Sequence, residues 1–72
     1  MIRSRAALEA ALERGAVVAR MDLMGEQSGF RLCLADTNET VHGSALKSVV
    51  KAGVAKVLAT DIAGEPYQWG RA

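Results

Sequence analysis

Aromatic residues are scarce in this sequence: Phe30, Tyr67 and Trp69 are the whole set in 72 residues. Any core must therefore be aliphatic, chiefly Leu, Val, Met and Ala. Half the residues are hydrophobic, which is enough to build one without staples. A domain of this size buries only about 60% of the surface that its unfolded chain exposes. Small core side chains contribute less per residue, so a homodimer would help to stabilise the fold. Cysteine is nearly absent too. A lone Cys33 excludes an intrachain disulfide and fits a reducing, cytoplasmic compartment. No stretch approaches the ~20 apolar residues of a membrane span. The opening MIRSRAALEAALERG carries arginines but no apolar run long enough for a signal-peptide core. Low-complexity tracts and internal repeats are also missing, and the expectation is a single domain over residues 1–72.

Charge of one sign is lacking as well. Nine Lys and Arg against eight Asp and Glu leave a net charge of +1, so the molecule as a whole is not an electrostatic footprint for nucleic acid. Catalytic constellations are equally thin. His42 is the only histidine, with no second His and no Cys cluster near it, so the usual metal-ligand set is not available. Cys33 and His42 are close enough in sequence to be folded together, but a strand cysteine is more often a small packing residue. Ser44 and Ser48 have no base other than His42 and no third orienting group. The Gly43-Ser44 step lacks the spacing of a phosphate-binding loop. Asp36, Glu39, Asp61 and Glu65 fall in expected loops with no recognisable pairing. The chain is therefore expected not to be an enzyme and to need no cofactor or metal.

The patterning that is present predicts an α+β domain in the order α-β-β-(β)-α-β-β. Residues 4–14 read as a helix, with Ser4 as N-cap, a stripe of Leu8, Ala11 and Leu12, and Gly15 as the stop. Residues 16–24 read as a strand with Val17, Ala19, Met21 and Leu23 on one face. Val18, Arg20, Asp22 and Met24 share the other, wetter face. A polar loop, Gly25–Gly29, leads to a partner strand over 30–35 with Phe30, Leu32 and Leu34 inward and Arg31 and Cys33 on the opposite face. Thr40–His42 is a candidate short strand. A second helix spans 44–52, with Ser44 as its N-cap and Gly53 as its end. Leu46, Val49 and Val50 join Phe30, Leu32 and Leu34 in the expected core. Val54–Thr60 and Tyr67–Trp69 complete a second hairpin about a turn at Asp61–Pro66.

The most informative feature is the second helix. At about 100° per residue, Ser44, Lys47, Ser48 and Lys51 cluster on one face. Between Glu39 and Asp61 there are three lysines and no acid, while the rest of the chain sets six arginines against eight acids. A basic helix face followed by a hairpin is how many winged-helix modules meet DNA, although Asp61 and Glu65 make this hairpin tip acidic. The expected partner-binding residues are Ser44, Lys47, Ser48 and Lys51, flanked by Lys56 and Arg31. An ordinary solvated helix face is the competing explanation of the same lysines.

The stretch ALKSVVKAGVAKVLATDIAGEPYQWG resembles the end of small winged-helix-like bacterial proteins. Its layout of amphipathic helix, Gly stop, strand, Gly64-Glu65-Pro66-Tyr67 and last strand is similar to that of the YjhX family of small bacterial toxins. The likeness extends from about Ala6 to Gly70, but the strand loops here are shorter and the helix is less basic. The resemblance implies a winged-helix-like fold and inhibition of a DNA-handling enzyme. Together these readings give a small non-catalytic binding protein from a bacterium, phage or mobile element. It would dock on a nucleic-acid-handling protein as an inhibitor, either toxin-like or a blocker of host defence. The alternative is a winged-helix transcriptional regulator on duplex DNA.

Overall fold

A computed structural model describes residues 1–23 and 29–72, with the backbone alone for Leu23. The elements are α1 (Arg5–Glu13), β1 (Val18–Leu23), β2 (Gly29–Leu34), α2 (Gly43–Lys51), β3 (Ala55–Thr60) and β4 (Pro66–Arg71). The strands form one antiparallel sheet in the order β2-β1-β4-β3. Met24 and most of the loop expected at Gly25–Gly29 lie outside the described residues.

The two helices end in the same way for the same reason. After α1, the Gly15 N–H reaches the Leu12 carbonyl and the Ala16 N–H reaches that of Ala11, each at 3.0 Å. After α2, Gly53 reaches Val50 at 3.1 Å and Val54 reaches Val49 at 2.9 Å. These paired bonds satisfy the last carbonyls and require a left-handed residue, supplied by Gly15 at φ +94° and Gly53 at φ +78°. Each helix therefore turns directly into a strand. The starts differ. Ser4 caps α1 as expected, its Oγ accepting from the Ala7 N–H at 3.1 Å. The cap of α2 is His42 and not Ser44: the imidazole Nδ1 accepts from the Ser44 N–H at 3.2 Å. The helix consequently begins one residue earlier than its composition suggests.

Both helices pack on one face of the sheet. Leu8, Leu12, Val18, Leu34 and Val49 are wholly enclosed there, with Ile2, Ala45, Leu46 and Ala55 around them. The expected aliphatic core is thus present, but several of its assignments change. Val18 has no exposure while Met21 is 46% exposed, so the face of β1 expected to be wetter is the one under the helices. Alternation places Arg20 on that buried side too. Phe30 and Val50, both expected in the core, are 62% and 38% exposed, and Leu32 is half-buried. Leu58 on β3 is 47% exposed. On α2 the third buried position belongs to Ala45.

The candidate strand at Thr40–His42 exists as isolated bridges. Thr40 pairs with Cys33, and Val41 pairs in parallel with Ile2. The β3–β4 hairpin is not a free-standing wing, because β4 lies inside the sheet with Val18 opposite Trp69.

Candidate functional site

Phe30 and Val50 are exposed because α2 does not cover the whole sheet. Near the sheet end that carries Val18 and Leu34, the helices close over the strands. Two residues further along, at the Arg20–Leu32 pair, the cover ends and a groove of about 1040 Å³ opens. Leu46, Lys47, Val50 and Lys51 form its helical wall. Phe30, Leu32 and Trp69 form its floor, and Arg20, Glu65 and Pro66 close its far end. The lining is mostly apolar, with cations along one side.

The helix period explains the wall. Ala45, Leu46 and Val49 form the buried stripe, Val50 occupies the flank next to it, and Lys47 and Lys51 follow further round toward solvent. Ser44 lines the end of the groove beside Gly43. Ser48 projects from the other flank and does not line it. No carboxylate of the described residues lies within salt-bridge reach of Lys47 or Lys51. Of the six expected partner-binding residues, the fold therefore gathers Ser44, Lys47 and Lys51. Lys56 sits on the β3 edge strand and, by alternation with Ala55, faces away from the helices. Arg31 also points away from the groove floor and donates to Asn38 Oδ1 at 2.8 Å.

Arg20 at the far end is held in place. It donates to Asp61 Oδ2 at 2.8 Å and to the Pro66 carbonyl at 3.2 Å. Asp61 Oδ1 in turn accepts from the Ala63 and Glu65 N–H groups at 3.0 and 2.9 Å. Hydrogen bonding from Arg20, and then from the Glu65 amide, holds the Asp61 carboxyl below the usual aspartate range. The same pair pushes the Arg20 guanidinium upward. Asp61 thus pairs with a residue 41 positions away, which loop composition gave no reason to expect.

Ser44 Oγ lies 2.7 Å from His42 Nδ1, a serine–imidazole contact. The same nitrogen also accepts the Ser44 N–H, and the next two amides, Ala45 and Leu46, are bonded to the His42 carbonyl at 3.1 and 3.3 Å. With these three amides engaged, none is left to stabilise an oxyanion, and the contact serves as a helix cap. Cys33 is enclosed, with its thiol 3.8 Å from the Ala19 carbonyl, and no hydrogen bond joins it to His42. Among the described residues there is no cluster of three or more His, Cys, Asp or Glu able to hold a metal, and no helix long and apolar enough to cross a membrane.

Arg20, Phe30, Glu65 and Pro66 are groove residues that sequence reasoning did not nominate. A signal for Arg20 was available in its alternation with Val18, had that face been turned inward. Comparison with protein-family models, with curated proteins and with solved structures returns no match to this chain.

Proposed function

We propose that this chain is a non-catalytic binding protein whose groove beside α2 docks on a partner protein. The observation that carries this reading is one surface combining an apolar floor with two lysines on its wall that no carboxylate of the described residues pairs with. Apolar concavities with a charged rim suit a protein segment that offers apolar side chains and acidic neighbours. Docking would act by covering the partner's surface, which is the inhibitory role suggested by the likeness to the YjhX toxins. That the partner handles nucleic acid rests on that likeness alone.

Duplex DNA suits the surface less well. Two lysines neutralise few phosphates, an apolar floor offers phosphates nothing, and the β3–β4 hairpin is anchored in the sheet instead of projecting as a wing. The test uses Trp69, the sole tryptophan, which lines the groove. Capture from bacterial lysate should survive nuclease treatment and shift Trp69 emission when the purified target is added back. A mixed-sequence duplex of about 30 base pairs should leave the emission unchanged at physiological salt. Tight duplex binding with a steep salt slope, and no nuclease-resistant capture, would turn the assignment to a DNA-binding regulator.

A further inference from the structure

The turn between β3 and β4 carries a side chain that the fold does not use. Ile62 is completely exposed at the tip. A floppy loop would hide or average such a residue, but this turn is braced. Asp61 Oδ1 holds the Ala63 and Glu65 amides, the Asp61 N–H reaches the Glu65 carbonyl at 2.8 Å, and Arg20 clamps Asp61 from β1. The bracing presents Ile62 as a fixed apolar knob with Glu65 beside it. Glu65 itself has no cation within salt-bridge reach among the described residues.

Knob and groove belong to one continuous surface, since Arg20, Glu65 and Pro66 of the turn region also close the groove's far end. A surface carrying both an apolar projection and an apolar hollow, with an unpaired acid next to the first and unpaired lysines beside the second, is self-complementary about a two-fold axis. We infer that, when no target is bound, the groove is occupied by the Ile62 turn of a second copy of this chain and its own turn enters the groove of that copy. Glu65 of each copy then faces Lys47 and Lys51 of the other. The exchange covers exposed Phe30 and Ile62 together with the open side of half-buried Trp69, apolar surface that a domain with an aliphatic core can least leave wet.

This inference rests on the groove being a docking surface, and it adds that self-association competes with the target. Sedimentation equilibrium of the full chain from about 5 to about 500 µM should show a monomer–dimer equilibrium, with Trp69 emission moving along the same curve. Ile62→Asp removes two apolar contacts per dimer and should weaken association about 100-fold. Its exposure means that the melting curve of the dilute monomer should not change. Glu65→Lys, and Lys47→Glu with Lys51→Glu, should each weaken the dimer, and combining all three should restore it. A chain that stays monomeric throughout, or an Ile62→Asp variant that associates like wild type, overturns the inference. If Ile62→Asp is without effect on association while the lysine reversal abolishes target capture, the Ile62 turn of a second copy is excluded as the groove's occupant and the docking groove stands. If capture persists in the lysine reversal, the groove reading itself falls.

Discussion

The two helices are nearly the same object in different circumstances. Each has nine residues, each ends through paired bonds at a left-handed glycine, and each runs straight into a strand. The apolar stripe of α1, Leu8, Ala11 and Leu12, is entirely buried. The stripe of α2 is wider. Ala45, Leu46 and Val49 are buried, but Val50 is left over, between two lysines and above Phe30 and Trp69. A helix needs only so much apolar surface to hold a small fold. The surplus on α2 lies beside lysines that no carboxylate of the described residues pairs with, and the proposed binding role rests on it, whereas the apolar stripe of α1 is used up by the core.

That contrast is broken or sharpened by substitution. The largest effect is expected in α1, where Leu8→Ala should cost about 2–5 kcal/mol against a total stability of about 5–10 kcal/mol, read by chemical denaturation. Leu46→Ala, on the buried stripe of α2, should fall within the same range, while Val50→Ala should cost well under about 1 kcal/mol because its site is open to water. Next come the glycine stops. Nothing crowds a Cβ at either position, so Gly15→Ala and Gly53→Ala should each cost about 1–2 kcal/mol from backbone strain alone, equally for the two helices. The caps are smaller again, with Ser4→Ala and His42→Ala each expected to cost about 1 kcal/mol.

Asp61→Asn adds a pH signature. The Asp61 pKa is depressed in the folded state, so its ion pair with Arg20 stabilises the fold fully above the unfolded value and is lost as pH falls below 3.8 toward the lowered one. The variant should melt below wild type at pH 7, and the gap should close in acid. A gap independent of pH would show that the clamp is not electrostatic.

What could be read from the sequence was what local chemistry determines. Ser4, the Leu8–Leu12 stripe and both glycine stops depend on residues within one or two turns of each other, and they lie where the pattern put them. The α+β class and four strands followed from the same periodicities. The inward face of β1 was not legible, because Val17-Val18-Ala19 offers apolar residues to both sides and only the helix layer decides between them. The Arg20–Asp61 clamp needs β4 to insert beside β1, a pairing between distant segments with no local trace. For the groove, the lysines were visible as a helical face, but its floor required knowing that the helices stop short of Leu32 and Phe30. Ser48 was grouped with the lysines by angle, yet it does not line the groove.

The proposed division between a structural α1 and a binding α2 is tested most directly by charge reversal on each helix, with melting and nuclease-resistant capture measured on the same preparations. Lys47→Glu with Lys51→Glu should leave the melting temperature within about 2 °C of wild type, as exposed charges contribute little to stability, and should abolish capture. The matched reversal on α1, Glu9→Lys with Glu13→Lys, should leave capture intact. Undiminished capture by the folded lysine variant, or equal loss from both reversals, would contradict the assignment of binding to the groove beside α2.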